Sequence, residues 1–374
     1  MTTTTPPSTA PDDQDAVAEV ERIVSEWMRQ GITNVRNVVA MMMRKGGAGK
    51  TTTTLLIADA LIRFGLNVLI VDVDPQGNTS LGLGRKVLLR AVEAIIGKNT
   101  QQVPDVVTVV EVINFAEPGV ADEAIQIVEW GYDPDAAFNR GGPMYPGKVG
   151  KIGLISAYEA LEDLPRNWTS ATDYERLASA LLLPAEPGGI APNVRWDVVL
   201  LDSAIAKPIG IQVAKSAHHV LFVTTAQIFG TDAIPKTMRL LKDVQANYRH
   251  EDLNVMGLLW NEYDDRKSTE QNLSEQAADA HSQGVEHWEA PIWPYKLPNL
   301  TVVSNSHAAF APLSAFLSTS AERKTARRVC QVAEAVALRV LDNIQHPQAS
   351  ALRQAWHEAW IGNERTAVMR EDVA

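Results

Sequence analysis

One cysteine, Cys330, occurs in 374 residues. That excludes a disulfide framework within the chain, and a thiolate metal site or iron–sulfur cluster built by one copy; it also suits a reducing cytoplasm. No uninterrupted apolar run approaches the ~18 residues that a membrane-crossing helix needs. Basic residues are absent before Arg22, so the opening lacks the positive start of a secretory signal, and a soluble, cytoplasmic protein is expected. Positive charge is also in deficit, with 34 Lys and Arg against 45 Asp and Glu and a formal net charge of −11. Such a balance argues against wholesale coating of nucleic acid and leaves room for a local basic patch. The histidines show no metal-ligand spacing, and the adjacent His218 and His219 read as structural. There is no internal repeat. Hydrophobic residues make up 45% of the chain, enough for one large α/β domain with appendages or for two ordinary domains.

Residues 1–14, MTTTTPPSTAPDDQ, are too polar and too rich in Pro and Thr to bury anything and read as a disordered tail. An amphipathic helix follows over 15–31, with Val17, Val20, Val24, Trp27 and Met28 at three- and four-residue steps and Gly31 as a stop. A lone helix of this length needs a surface to pack on, either the main domain or a partner subunit. Short runs rich in Val, Leu and Ile then alternate with helix-length stretches, at 37–43, 67–71, 151–155, 196–201, 219–224 and 254–260. This rhythm predicts an α/β fold, a mostly parallel twisted sheet with helices on both faces. The segment 104–150 breaks the rhythm with a cluster of Gly and Pro and is expected to be a surface insertion. After about residue 341 a helical tail is expected, in which Leu352, Trp356 and Trp360, four apart, pack on their own domain rather than on a membrane.

The most informative segment is KGGAGKTT, residues 45–52, which follows an apolar strand and opens an apolar-periodic helix. Its glycines let backbone N–H groups close around phosphate oxygens at the positive end of the new helix. Lys50 supplies a point charge to the β- and γ-phosphates, and the Thr51 hydroxyl is placed for Mg²⁺. Arg44 stands where the general G-x-x-x-x-G-K-[ST] loop has its first glycine, and a second lysine, Lys45, precedes Lys50 by five residues. The loop candidates are therefore Lys45, Gly46, Gly47, Ala48, Gly49, Lys50, Thr51 and Thr52.

This variant resembles the deviant Walker A motif of the ParA/MinD family of P-loop ATPases. The likeness continues through VLIVDVDPQGNTSLGLG (68–84), the Walker B-like WDVVLLDS (196–203) and the later strands around VLFVTTAQIFGTDAI and VMGLLWNEYD. Together these span roughly 35–341, one P-loop ATPase domain. The resemblance implies ATP and Mg²⁺ as cofactors, with Asp202 holding the metal through a water and Asp72 assisting. It makes Asp74 the residue that orients the attacking water, and lets Lys45 reach the partner's ATP in a sandwich homodimer. Asn261 and Pro294 are then expected beside adenine. The N-x-x-D spacing of Asn261 and Asp264 also occurs in GTPases, but Glu262 replaces their usual lysine. One departure stands out: a Pro-Pro switch common after the Walker B aspartate is replaced by SAIAKP, residues 203–208.

The resemblance further implies a DNA-partition ATPase, cytoplasmic and nucleoid-associated, that binds DNA without sequence preference and is stimulated by a ParB-like centromere-binding protein. Arg266, Lys296 and the cluster Arg323, Lys324, Arg327 and Arg328 are the DNA-binding candidates. No membrane partner is expected. Two rival readings stay open: an ATP-dependent filament or scaffold switch with uncoupled hydrolysis, and a MinD-like positioning ATPase acting on a membrane or protein cargo.

Overall fold

The computed structural model describes residues 13–29, 34–93, 100–164, 168, 170–203, 208–248, 250–318 and 321–361. Of the tail expected at 1–14, residues 1–12 lie outside the described residues, as do Gly31 and the altered switch at 204–207 with Lys207, while Asp13 and Gln14 already belong to the first helix. In chain order the strands are β1 (Val38–Met42), β2 (Val68–Val73), β3 (Leu89–Glu93), β4 (Thr100–Pro104), β5 (Gln126–Val128), β6 (Ile152–Ile155), β7 (Val198–Ser203), β8 (His219–Thr225), β9 (Asn254–Tyr263) and β10 (Ile292–Pro298). The helices are α1 (Asp13–Arg29), α2 (Lys50–Arg63), α3 (Asn78–Gly82), α4 (Val109–Phe115), α5 (Ala121–Ala124), α6 (Arg176–Leu182), α7 (Ile209–Ser216), α8 (Ile228–Thr231), α9 (Ala233–Asn247), α10 (Ser268–Ser282), α11 (Thr301–Ala308), α12 (Arg323–Asn343) and α13 (Ala349–Ile361).

Eight strands form one sheet in the order β10-β9-β8-β1-β7-β2-β6-β5, parallel except for β5, while β3 and β4 make a separate antiparallel hairpin. Central strands such as VVAMM and VLIVDV are apolar at nearly every position because both faces are covered. The two-residue alternation of a strand divides them: Val39, Met41, Val68 and Ile70 face the core under α2, α12 and α13, whereas Val38, Ala40, Leu69 and Val71 face the core under α4, α7 and α9. From β1 the chain moves to β2 on one side, and later crosses from β7 to β8 on the other. The crevice above the carboxyl end of β1 is thus the topological switch point, the customary ligand position in such sheets.

Three expectations change. The segment 104–150 is not a surface loop: Val109, Ile113, Trp130 and Phe138 are buried, and β5 adds the antiparallel edge strand. Its Gly and Pro residues mark turns, but the apolar side chains between them are long-range partners of the core. The buried face of α1 is carried by Ile23 and Trp27, while Met28 is exposed, because the helix lies against the amino end of the sheet along a stripe rotated from the one expected. Trp27 meets the His346 ring edge-on. Finally, β10 contains Pro294 and Pro298 and was not legible as a strand; it lies at the sheet edge, where proline is tolerated.

His218 and His219 sit at the amino end of β8, bonded to backbone: Val38 N–H donates to His218 Nδ1 (3.2 Å), and His219 Nε2 lies 3.0 Å from the Arg36 carbonyl. Burial, reinforced by the Arg36 guanidinium, pushes His218 down to about 3 and His219 to about 4. Unfolded imidazoles titrate near ~6.5, so below that pH the unfolded chain takes up protons that the folded chain refuses. The stability these rings contribute is complete above pH ~6.5 and is lost as pH falls toward their folded values. Buried carboxylates with raised values pull in the opposite direction, so the difference between wild type and His218→Asn isolates the effect. Asn keeps an acceptor for Val38, and the wild-type melting temperature is expected to fall faster than the variant's between pH 6.5 and 4.5.

Candidate nucleotide site

The loop after β1 leads into α2 through Gly49, which has φ +86° and lies against Asn261 so closely that a Cβ would stand 1.8 Å from Asn261 Nδ2. Only glycine satisfies both conditions. No acidic residue occupies the first turn of α2, so its free N–H groups and dipole stay available to an anion. Lys50 opens this helix, is nearly buried, and reaches the Lys45 carbonyl at 3.4 Å. Burial lowers its ammonium from the usual range, and the charges of Asp202 and Asp74 act against that shift. Lys45 turns away from the loop, its Nζ donating to Thr225 Oγ1 of β8 at 3.0 Å.

The β7 and β2 strand ends bring three carboxylates to the same place. Asp202 Oδ2 accepts from Thr51 Oγ1 (2.6 Å) and from Thr79 Oγ1 (2.5 Å), while its Oδ1 is buried with no hydrogen-bond partner among the described residues. Asp72, directly across from Asp202 in the sheet, is engaged otherwise: Oδ2 accepts from the Ser80 N–H and hydroxyl, and Oδ1 from the Asp74 N–H. Its Oδ2 is thus occupied by Ser80 of α3 and its Oδ1 by the Asp74 N–H, so it holds the turn and the helix that follow β2. Burial raises both carboxyls, and Asp202 adds to the rise at Asp72; hydrogen bonds from the threonines and the Lys50 charge work against the rise at Asp202. Asp74 is half-exposed at the end of β2, with Oδ1 accepting from the Gln76 N–H at 3.0 Å.

An orphaned carboxylate oxygen beside a threonine hydroxyl fits a hard cation. Among the described residues no group of three or more His, Cys, Asp or Glu could hold a metal alone. That combination is characteristic of Mg²⁺, which takes one or two protein oxygens and completes its shell with water and phosphate. Thr79, Ser80 and Thr225 were not singled out in the sequence; the first two lie in the quoted run 68–84, immediately after DPQG, where the hydroxyl pair was the available signal.

Asn261 ends up 3.4 Å from the Ala48 carbonyl, beneath the loop, but Pro294 does not come to it. Pro294 is an exposed residue of β10 between Ile292, paired with Leu258, and Lys296, paired with Trp260; Pro298, paired with Tyr263, is the proline at the carboxyl end. The expected basic patch is partly gathered, and two of its six residues are paired with aspartates. Arg266 forms a bidentate pair with Asp264 (2.9 and 3.0 Å), Arg328 meets Asp265 at 3.3 Å, and Lys296 lies 4.2 Å over the Tyr263 ring. Lys296 and Arg328 share a cavity with Asp265 and Glu275. Arg323 donates to the carbonyls of Leu317 and Ser318, Arg327 stacks on Trp360, and Lys324 is exposed.

The family described as CobQ/CobB/MinD/ParA nucleotide binding domain matches residues 39–308. A chromosome partitioning protein ParA from Caulobacter vibrioides is 28% identical over 246 residues, covering 66% of this chain and 75% of that protein. Among solved structures, apo McdA from Cyanothece aligns with a TM-score of 0.55 at 16% identity, over 79% of this chain and 98% of its own. A cobyrinic acid a,c-diamide synthase from Mycobacterium smegmatis, with bound ADP and magnesium, gives 0.51 at 22% identity, over 75% and 93%. These two likenesses concern the fold. With the family match spanning most of the chain and the loop, strand order and carboxylates arranged as described, the chain belongs to the CobQ/CobB/MinD/ParA family of nucleotide-binding proteins.

Proposed function

We propose that the chain is a Mg²⁺-dependent ATPase of the DNA-partition type, hydrolysing ATP to ADP and phosphate. The observation that supports it most is the pairing of two lysines with the Thr51–Asp202 contact around one phosphate loop. Backbone N–H groups of residues 46–52 and Lys50 would hold the phosphates, and Thr51 and Asp202 would hold the metal. A cation held there would supply charge neutralisation to the phosphates. Asp74 holds the attacking water in line, and its half-exposed position leaves one oxygen available for that proton.

ATP-dependent dimerisation is part of the same reading. Lys45 Nζ rests on Thr225 Oγ1 at the carboxyl end of β8, from where it would serve a second copy. Leu81 and Phe310, both exposed, line a small cavity with Thr51, Thr52 and Asn78, so apolar surface borders the nucleotide. The ATP-bound dimer would hold DNA non-specifically and release it when a ParB-like centromere-binding partner stimulates hydrolysis.

The acid-paired arginines favour a second reading, a positioning ATPase whose cargo is a protein rather than DNA. Among the described residues no helix is long and apolar enough to cross a membrane. Co-sedimentation of the chain with duplex DNA in ATP, in ADP and without nucleotide separates the two. Partition predicts DNA binding in ATP alone, at least tenfold weaker in ADP and falling steeply with salt as counterions are released. Absence of DNA binding in all three conditions would rule partition out in favour of the second reading.

A further inference from the structure

We propose that a second anion site lies at the amino end of the sheet, remote from the phosphate loop, and that it takes a small organic phosphate or polyphosphate of nucleotide size. A cavity of about 600 Å³ opens there between α1, the turn from α2 into β2, the approach to β6 and the start of α13. It falls within the ~300–1,000 Å³ of ordinary small-molecule sites. Its cationic lining is Arg22, Lys148 and Lys151, and none of its described lining residues is acidic. In a chain of net charge −11, such a lining runs against the overall balance.

The contrast with the other basic residues carries the argument. Arg266 and Arg328 are each matched by a neighbouring aspartate, whereas among the described residues no ion pair joins Lys148 or Lys151 to a carboxylate. Arg22 is itself matched by the buried Asp197 at 3.5 Å, so the contrast rests on Lys148 and Lys151. Gathering like charges around a concavity costs Coulomb energy that a bound anion removes, and the low-dielectric walls focus the field into the opening.

The walls are fixed before any ligand arrives. Gly65, at φ +84°, packs where a Cβ would come within 3.4 Å of the Lys148 carbonyl, and Asn67 Oδ1 accepts from the Lys151 N–H at 2.8 Å. Lys148 N–H closes a turn onto the Tyr145 carbonyl at 3.0 Å. Val149 and Ala18 offer apolar surface to an organic portion, while Tyr145 and Gln348 offer polar groups at the rim.

The test uses the full chain carrying Lys50→Ala, which disables the phosphate loop, and inorganic pyrophosphate as the probe. Calorimetry should detect pyrophosphate binding, weakened at least tenfold by adding Lys148→Glu and Lys151→Glu and unchanged by adding Lys324→Glu. If the double reversal lowers the melting temperature, Lys148→Ala at its exposed turn replaces it, with at least threefold weakening expected. Absence of pyrophosphate binding, or affinity indifferent to these lysines, overturns the proposal. A parallel titration with duplex DNA separates the sources of phosphate: loss of DNA binding on charge reversal without any pyrophosphate binding assigns the lysines to a nucleic-acid backbone and also overturns it.

Discussion

Asp74→Ala protein is expected to retain ATP and to release phosphate at least a hundredfold more slowly than the wild type, whereas Lys50→Ala protein should no longer retain ATP. The two effects differ because the residues meet the nucleotide at different stages. Lys50 is drawn into the loop with its charge only partly compensated by Asp202 and Asp74, so an incoming phosphate gains a desolvated cation. Removing it weakens ground state and transition state alike. Asp74 is held by an Asx turn, its own N–H on Asp72 and its Oδ1 on Gln76 N–H, which fixes the direction of the carboxylate. A positioned acid or base contributes about 10²–10⁴ in rate. Phosphate release and retention of a fluorescent ATP analogue, measured on both variants, separate binding from chemistry. Wild-type hydrolysis by Asp74→Ala protein would sink the water-positioning role.

Glu334→Ala should cost about 3–5 kcal/mol of stability, the range for stranding one member of a buried ion pair. Arg63 and Glu334 are both about 1% exposed and meet at 2.7 Å. Glu334 Oε2 also accepts from the Trp356 and Trp360 indoles at 2.7 and 2.8 Å, and Arg63 donates to the carbonyls of Gly142 and Phe138 while lying over the Phe138 ring. One substitution therefore strands a guanidinium and two indole N–H groups in the core. The double variant Arg63→Leu, Glu334→Leu should recover part of the loss, because the uncompensated charge disappears. Recovery should be incomplete, since Gly142 and Phe138 keep carbonyls without a donor. Urea midpoints of the three proteins test this; a Glu334→Ala midpoint equal to the wild type would contradict the buried-pair account.

What could be read in the sequence was whatever is encoded locally. The phosphate loop is contiguous, its glycines and lysines obey fixed spacing, and six strands announce themselves as apolar runs with helix-length separations. β5 escaped because three residues are too few to show alternation, and β10 because two prolines contradict a strand's usual composition. The Arg63–Glu334 pair escaped for a different reason: a charged residue on a helix ordinarily faces water, and only contacts between residues 271 positions apart reveal that these do not. The same applies to the expected DNA-binding arginines. For two of them, Arg266 and Arg328, the acidic residues Asp264 and Asp265 were visible, but only side-chain geometry shows that each pairs with one of them.

Pro294 has a consequence at the rim of the sheet that its expected place beside the base would not have given it. An exposed outer strand ordinarily presents a ladder of unpaired N–H groups on which another chain can polymerise. β10 carries two residues without an N–H in seven, and β5 at the other rim is only three residues long. Neither margin offers a template for strand addition, so copies of this chain are steered away from fusing sheet to sheet into aggregates. On the proposed reading, self-association is then left to the faces beside the nucleotide.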